Sequence, residues 1–410
     1  MHYLIIGNSI AAAAVIEGIR SQDQEGAITV VGEERQVCYA RPLISYLLQG
    51  KTDEEKMCYR DQAFFDRNRV SLLSGTRACH LDAKEKTVTL DDGTSLGYDR
   101  LVLSTGSSPF IPPMQGLDLV KNRFTFLTLD DAHALSAAIR SDSRILILGA
   151  GLIGLKCAEG ILDRVRSITV VDLAPRILAS ILDGQGSVHV QAHLQQKGLT
   201  FHLSDRVKEF TSNEALLESG AVVGFDILVV AVGVKPNTEL AKEAGLMVNR
   251  GIVVDQSMRT SVKDIWAAGD CAEAPELVSG SNRVLPLLCN AYLQGETAGK
   301  DMAGKTEPFT QAIAMNAISF FGLHVITAGL YEGEEKLFTE EGSYKRLFIK
   351  DNRLIGYILI GKAVERAGIY TALIRNQTAL DTIDFDLICR QPALMAFAKS
   401  VRQQQLGGSV

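Results

Sequence analysis

Arg144-Ile-Leu-Ile-Leu-Gly149-Ala-Gly151-Leu-Ile-Gly154 is the stretch that decides the fold of this chain. An apolar run leads into glycines spaced Gly-x-Gly-x-x-Gly, and Asp172 ends the next apolar run, SITVVD. In a strand–helix–strand unit, such glycines let the backbone close around a pyrophosphate at a helix N-terminus, and the acid accepts a hydrogen bond from a ribose hydroxyl. The stretch therefore predicts a dinucleotide-binding unit. The carboxylate of Asp172 repels a 2′-phosphate and so favours NAD(H), although Arg176 nearby could serve a phosphate.

A second copy of this pattern stands at the start of the chain. An apolar run leads into Gly7-Asn-Ser9-Ile-Ala-Ala12, and Glu33 ends the next apolar run, ITVVGE. Ser9 and Ala12 replace two of the glycines, but both side chains are small enough for a close approach of helix, strand and phosphate. This stretch predicts a second dinucleotide-binding unit.

An internal repeat supports the duplication. YDRLVLSTGSSP (98–109) matches FDILVVAVGVKP (225–236), and each copy ends a buried strand at a glycine, Gly106 or Gly233. The alternative is that one copy is a relic kept for packing, but both copies retain the small residues and the acid. Two dinucleotides in one chain indicate electron transfer between them.

The order of these patterns predicts the domain organisation. After the second copy, GIVVDQSMRTSVKDIWAAGDCAEA (251–274) does not begin a third unit and is expected to return to the first. We predict an α/β fold with two Rossmann-like, three-layer dinucleotide-binding domains, the second (115–245) inserted in the first (1–114 and 246–305). A small C-terminal α+β domain (306–410) follows, and we assign its AMNAISFFG stretch (314–322) to the core.

Composition excludes several other classes of protein. The net charge of −6 and the lack of a basic run argue against nucleic-acid binding. No segment approaches the roughly 20 uncharged apolar residues of a membrane span, and no secretory leader is expected. The 7 cysteines contain no Cys-x-x-Cys pair, which favours reduced thiols in the cytoplasm and predicts no iron–sulfur cluster or metal held by this chain.

Beyond these patterns, the chain resembles the two-dinucleotide flavoprotein oxidoreductases of the pyridine-nucleotide disulfide reductase superfamily. It is most similar to the NADH-dependent rubredoxin and ferredoxin reductases and to the flavin subunits that link multi-subunit oxidoreductases to NAD. The resemblance implies FAD in the first domain, NAD(H) in the inserted domain, and an iron–sulfur carrier or subunit as electron partner. A subunit of a hetero-oligomer and a homodimer both stay open. The stretches that carry the resemblance include YARPLIS (39–45), GAGLIGLKCAEG (149–160), VGVKPN (232–237), AAGD (267–270) and LIGYILIG (354–361).

The resemblance also implies roles for individual residues. The implied FAD contacts are Gly7, Ser9, Ile10, Ala11, Ala12, Glu33, Arg41, Pro42, Ala78, Thr105, Gly106, Gly269, Asp270 and Leu288. The implied NAD(H) contacts are Gly149, Gly151, Leu152, Ile153, Gly154, Glu159, Asp172, Arg176 and Gly233. Because hydride transfer between stacked nicotinamide and flavin rings needs no side-chain acid or base, no catalytic side chain is predicted.

Departures from the superfamily bear on the mechanism. Its disulfide reductases carry a redox-active cysteine pair, or one peroxidatic cysteine, just after the second FAD strand. This chain has only Cys38 there, displaced, and we interpret it as an apolar filler. Tyr46 and Leu127 stand where dioxygenase-type reductases carry Lys and Arg, and His324 lies in an apolar run typical of a core.

Two alternatives to the iron–sulfur hypothesis stay open from the sequence. One is an NADH oxidase or a thiol/CoA-disulfide reductase that uses Cys38. The other is a non-catalytic flavoprotein subunit that binds nucleotides as ligands.

Overall fold

The structure, a computed structural model, describes residues 1–398 and divides into two compact units. The larger unit consists of Met1–Leu178, Gln195–Pro275 and Ser281–Ala312. The smaller consists of Ala179–Leu194, Glu276–Gly280 and the described residues from Ile313 onward. The boundaries of the three predicted domains stay a prediction, and residues 399–410 of the last one lie outside the described residues.

The larger unit begins with a parallel sheet. The elements up to Pro109 are β1 (His2–Ile6), α1 (Ile10–Arg20), β2 (Ala27–Gly32), α2 (Ile44–Leu48), α3 (Glu54–Met57), α4 (Gln62–Arg67), β3 (Val70–Ser74), β4 (Ala78–Asp82), β5 (Thr87–Leu90), β6 (Ser95–Gly97), β7 (Arg100–Leu103) and β8 (Ser107–Pro109). β1 lies between β2 and β7, and β2 pairs with β3, all parallel. Apart from their first residues, β1 and β7 are buried, as central strands covered on both faces must be. β4–β6 form a separate antiparallel sheet, and Gly93, with φ +86°, lies in the turn between β5 and β6.

A second parallel sheet repeats this design. Its part of the chain contains β9 (Arg123–Phe124), α5 (Leu129–Ala138), β10 (Arg144–Leu148), α6 (Leu152–Ile161), β11 (Ser167–Asp172), α7 (Gly184–Gln196), β12 (Leu199–Leu203), β13 (Val207–Phe210), β14 (Glu214–Leu217), β15 (Val222–Gly224), β16 (Ile227–Val230), β17 (Val234–Pro236) and α8 (Glu239–Glu243). The strand order is β12-β11-β10-β16-β9, all parallel, while β13–β15 form a small antiparallel sheet. The predicted α/β class with two Rossmann-like sheets is confirmed.

The chain then returns to the first sheet. The next elements are β18 (Ile252–Val253), β19 (Ile265–Ala267), β20 (Ala272–Pro275), β21 (Asn282–Arg283) and α9 (Leu288–Met302). β19 pairs in parallel with β7. α9 packs directly on α1 through glycines, since a Cβ on Gly295 would lie 2.3 Å from the Ala11 carbonyl oxygen. A Cβ on Gly299 would likewise lie 2.2 Å from the carbonyl oxygen of Val15.

The smaller unit has the predicted α+β composition. Beyond Ile313 it contains β22 (Met315–Phe320), β23 (Leu323–Gly329), β24 (Glu334–Glu340), β25 (Ser343–Lys350), β26 (Arg353–Gly361), α10 (Ala367–Arg375) and α11 (Phe385–Arg390). The sheet is antiparallel in the order β22-β23-β26-β25-β24, and β25 and β26 form a hairpin. α10 and α11 supply Tyr370 and Ile388 to its buried core.

The structure corrects one assignment to this core and bears out part of another, since Met315 of the AMNAISFFG stretch packs against the core. His324 on β23 is exposed, because side chains alternate between the two faces of a strand. The AMNAISFFG stretch forms β22 at the edge of the sheet, where Phe320 is buried, Ala317 is exposed and the other strand residues are half-buried. None of the helices in residues 1–398 is long and apolar enough to cross a membrane.

Candidate functional site

The glycine loop between β10 and α6 has the geometry of a phosphate cradle. Gly149 has φ +106°, and a Cβ there would lie 2.3 Å from the Ala231 carbonyl oxygen. A Cβ on Gly154 would lie 2.0 Å from the Gly149 carbonyl oxygen, so this position must be small for α6 to approach the sheet. A Cβ on Gly151, by contrast, would have no described atom within 4 Å. The loop is therefore tight on its protein side and open on its outer side.

The N-terminus of α6 is suited to an anion. Gly151 is its N-cap, which has no side chain to bond the first-turn N–H groups, and Leu152 and Ile153 follow as the first helical residues. Exposed backbone donors and the positive end of the helix dipole together favour a phosphate at such a position.

The acid predicted to bind the NAD ribose lies against this loop. Asp172 ends β11 and accepts hydrogen bonds from the amides of Ala150 at 2.6 Å and Ala174 at 2.7 Å. These contacts hold the carboxylate beside the cradle, where a ribose next to the phosphates would lie. Arg176 is half-buried on the segment that follows.

The loop after β1 is built in the same way. Gly7 has φ +118°, and a Cβ there would lie 2.1 Å from the Ser104 carbonyl oxygen, at the end of β7. Ser9 is the N-cap of α1, and its side chain makes no capping hydrogen bond within the described structure. Ile10, Ala11 and Ala12 form the first turn, so small residues again accompany a helix N-terminus of the kind that favours an anion.

Glu33 occupies the position that corresponds to Asp172. It follows β2, its side chain is 71% exposed, and its carboxylate lies 3.9 Å from the guanidinium of Arg77. The amide of Thr76 donates to the carbonyl of Gly32 at 3.0 Å, which brings the start of β4, and with it Ala78, to the end of β2. Ala78 thus lies near the end of β2, although it belongs to a different sheet.

Asp270 follows the end of β19. Gly269, with φ +83°, turns the chain, and its amide donates to Gln294 on α9 at 2.8 Å. Asp270 lies deep in the protein, and this burial raises its pKa, while a hydrogen bond from Ser107 (3.0 Å) and the charge of Arg41 partly oppose the rise. The side chain nevertheless remains partly accessible. Leu288 begins α9 and is 36% exposed.

Arg41 is held in place by its neighbours. Its guanidinium pairs with Glu34 at 2.6 Å and donates to the carbonyl of Leu127 at 3.4 Å. The hydroxyl of Tyr39 donates to the other oxygen of Glu34 at 2.6 Å. Arg41 and Pro42 are the first two residues of the short helical turn that leads into α2. The predicted flavin-side pair Arg41-Pro42 therefore lies on a braced segment.

The surroundings of Glu159 were not foreseen from the sequence. Its side chain is 4% exposed and forms an ion pair with Lys156, which is 17% exposed and lies one turn earlier on α6. The ammonium of Lys156 lies 4.5 Å from the ring centre of Tyr46 on α2. α2 and α6 pack closely, since a Cβ on Gly160 would lie 3.1 Å from the Ser45 carbonyl oxygen. Glu159 thus lies where the helix after Arg41-Pro42 meets the helix of the second cradle. The spacing of Lys156 and Glu159, three residues apart on a helix, was the sequence feature that could have predicted this ion pair.

Cys38 is not arranged as a nucleophile. It is 1% exposed, and burial raises the pKa of its thiol to about 12, with the charge of Arg60 only partly opposing the rise. The thiol is therefore neutral near pH 7, whereas thiolate is the reactive form. Within the described residues, no group of three His, Cys, Asp or Glu side chains could hold a metal ion.

Comparison with known proteins agrees with this geometry. Residues 1–292 match the model of the family described as pyridine nucleotide-disulphide oxidoreductase, and the chain belongs to that family. It is 33% identical over 391 residues to the NADH-dependent phenylglyoxylate dehydrogenase subunit epsilon of Aromatoleum evansii, covering 92% of each chain. It is 30% identical over 372 residues to a rubredoxin-NAD(+) reductase of Alcanivorax borkumensis, covering 88% of this chain and 95% of that one.

Other relatives are longer or more distant in sequence. The chain is 31% identical to the nitrite reductase [NAD(P)H] of Bacillus subtilis over 94% of its own length, but spans only 48% of that relative. Among solved structures, the putidaredoxin reductase–putidaredoxin complex superposes with a TM-score of 0.88 at 24% identity, over 100% of this chain and 99% of that one. At that identity the likeness shows the fold.

Proposed function

We propose that the protein is an FAD-dependent oxidoreductase that moves electrons between NAD(H) and a one-electron iron–sulfur carrier. The observation that carries the proposal is the pair of glycine cradles, each at the carboxyl end of its own parallel sheet and each beside an acid, Glu33 or Asp172. Two such cradles in one compact unit fit two dinucleotides.

The first cradle and its surroundings fit FAD. Gly7, Ser9 and the first turn of α1 would hold the pyrophosphate, and Glu33 would accept from the adenosine ribose. Asp270 would meet the ribityl chain, while Thr105, Gly106, Ala78 and Leu288 would line the rest of the site. Arg41, fixed by Glu34, would lie along the flavin with Pro42. When bound, FAD supplies a centre that exchanges two electrons with a nicotinamide and single electrons with a metal cluster.

The second cradle fits NAD(H). Gly149, Gly151, Leu152, Ile153 and Gly154 would hold its pyrophosphate, and Asp172 would accept from the free ribose hydroxyls, with Arg176 close by. Gly233 leaves open space where a larger side chain would obstruct the nicotinamide. Glu159 would approach the nicotinamide from α6. In this arrangement the side chains bind and orient the two cofactors, and proton transfer by a side chain is not required.

The electron partner is inferred from the relatives of this chain. We propose that the one-electron partner is a separate iron–sulfur protein or subunit. Relatives named for rubredoxin support a small carrier, and the relative named as a dehydrogenase subunit supports membership of a larger assembly. We further propose a cytoplasmic location, because all 7 cysteines are free.

The thiol-based alternative has less support. A relative from Methanocaldococcus jannaschii is named an NADH oxidase, at 29% identity over 88% of this chain. A thiol route would need Cys38, which is buried and protonated.

Anaerobic reduction and reoxidation test the proposed function. NADH should bleach the yellow protein, and oxidised rubredoxin or ferredoxin should restore the colour, two carrier molecules being consumed for each NADH. A protein that binds flavin but is not bleached by NADH would instead support the non-catalytic alternative.

A further inference from the structure

We infer that Asn237 is a positioning residue that sets the spacing between the two dinucleotide sites. The inference rests on the proposed function, and it assigns a task to a residue outside both predicted binding sets. Asn237 follows β17 and makes its contacts with the segment that follows β7.

The two repeated strands end in a shared ribbon. β8 follows Gly106 and β17 follows Gly233, and these short strands pair in antiparallel register, with Lys235 opposite Ser108. The amide of Phe110 donates to the carbonyl of Gly233 at 2.9 Å, which extends the ribbon to the nicotinamide-side glycine itself. Both glycines have positive φ, and no described atom lies within 4 Å of a Cβ placed on either of them. The ribbon therefore connects the open faces of the two sites.

Asn237 holds the two strands of this ribbon together at the end near Gly106. Its amide N–H donates to the Gly106 carbonyl at 3.0 Å, and its side-chain Nδ2 donates to the Thr105 carbonyl at 2.8 Å. The carbonyl of Asn237 accepts from the Thr105 hydroxyl at 2.7 Å, and its Oδ1 accepts from the Ser108 hydroxyl at 2.8 Å. Four hydrogen bonds thus join one residue to the segment 105–108.

The hydrogen bonds continue to Asp270, which is proposed to meet the ribityl chain. Ser107, between the residues that Asn237 binds, donates its hydroxyl to Asp270 at 3.0 Å. A displacement of the ribbon would therefore move Gly106 and the hydrogen bond to Asp270 together, relative to Gly233. Hydride transfer needs the reacting atoms about 3–3.5 Å apart, and an error of about 1 Å costs on the order of 100-fold in rate. Asn237 would therefore affect the transfer rate more than the binding of either cofactor.

Two variants disrupt the side-chain hydrogen bonds of Asn237 in different ways. Asn237→Asp keeps the shape but places an anionic oxygen 2.8 Å from the Thr105 carbonyl, where a donor stood. Asn237→Ala removes both side-chain hydrogen bonds. Asn122→Ala is the matched control, because Asn122 also donates its Nδ2 to a backbone carbonyl, that of Asp226 at 3.3 Å, away from the ribbon.

Two measurements separate positioning from binding. The first is the rate of flavin bleaching at saturating NADH in an anaerobic stopped-flow instrument. The second is the dissociation constant of NADH, obtained from the dependence of the bleaching rate of the same flavin-loaded protein on NADH concentration. We expect Asn237→Asp to lower the saturating rate at least 10-fold while the dissociation constant changes less than threefold, and Asn122→Ala to change neither.

Each outcome decides the question. An unchanged rate in Asn237→Asp, or a rate loss matched by weaker NADH binding or by the Asn122→Ala control, overturns the inference. If neither Asn237 variant folds, Ser108→Ala is used instead, because it removes one hydrogen bond to the Asn237 side chain. A loss of rate of about twofold or more without weaker NADH binding then supports the inference. An unchanged rate overturns it. Wild-type protein that NADH does not bleach contradicts the proposed function itself, whereas bleaching of wild type and variant at equal rates contradicts only the role of Asn237.

Discussion

The carboxylate of Asp172 accepts a hydrogen bond from the backbone amide of Ala150 at 2.6 Å. The acid at the end of β11 is therefore fixed against the glycine loop that follows β10, instead of extending freely into solvent. A ribose bound beside that loop would meet a carboxylate of fixed position, and a 2′-phosphate at the same place would meet a fixed negative charge.

Asp172→Ala should reduce the preference for NADH over NADPH. A hydrogen bond to a charged group contributes about 1.5–3 kcal/mol, so the ratio of the two kcat/KM values should fall about 10-fold or more. Steady-state kinetics with both nucleotides measure this ratio. Asp163→Ala is the control, because Asp163 is an exposed carboxylate in the turn after α6. An unchanged ratio in Asp172→Ala would remove this residue from ribose recognition.

Gly149→Ala and Gly151→Ala should fail in different ways. At Gly149 a Cβ would lie 2.3 Å from the Ala231 carbonyl oxygen and φ is +106°, so we expect a loss of about 2 kcal/mol or more in the free energy of unfolding. At Gly151 the Cβ meets no described atom within 4 Å, so stability should change by about 1 kcal/mol or less while NADH binding weakens. Urea unfolding and NADH titration of each variant check this contrast. Normal NADH affinity in Gly151→Ala would mean that no phosphate approaches this position.

Glu159→Gln should destabilise the protein more than the double variant Lys156→Met/Glu159→Gln. The single change leaves the mostly buried ammonium of Lys156 without its carboxylate, which we expect to cost roughly 2 kcal/mol or more. In the double variant neither charge remains to be compensated. Urea unfolding of the flavin-loaded forms measures both. Glu239→Gln, which breaks the exposed pair between Lys235 and Glu239, should cost less than about 1 kcal/mol. Equal costs for Glu159→Gln and Glu239→Gln would contradict a buried, interdependent pair.

Cys38 should not react as a thiolate near neutral pH. Because burial raises its pKa from the ordinary value of 9.0 to about 12, the thiol is protonated at pH 8, and a disulfide reagent should modify the exposed Cys79 and Cys289 first. The stability that this raised pKa contributes is fully present below pH 9 and is lost as the pH rises towards 12. Cys38→Ala should retain NADH bleaching and turnover with a one-electron acceptor. Loss of both in a folded Cys38→Ala protein would favour the thiol-based alternative.

Most of the fold could be predicted from local sequence patterns. The cradles at Gly7 and Gly149 could be predicted because strand, glycines and helix start are consecutive in the chain, and the acids Glu33 and Asp172 end the very next strands. The repeated stretches 98–109 and 225–236, in which a strand ends at Gly106 or Gly233, likewise predicted two equivalent strands, β7 and β16.

Contacts between distant segments could not be predicted in this way. The hydrogen bonds from Asn237 to Thr105 and the approach of Lys156 to Tyr46 depend on how separate elements pack, and a single sequence does not encode that pairing visibly. His324 was misplaced for a related reason, since hydrophobic neighbours do not reveal which face of a strand meets solvent.

The most direct test of the central claim, that electrons pass between nicotinamide and flavin without a sulfur intermediary, is an anaerobic titration of the Cys38→Ala protein with NADH, followed spectroscopically. The structure predicts a yellow protein that one equivalent of NADH per chain fully bleaches and that an oxidised iron–sulfur carrier restores. Protein that remains colourless after reconstitution with FAD, or a yellow Cys38→Ala protein that NADH cannot bleach while the wild type is bleached, would contradict it.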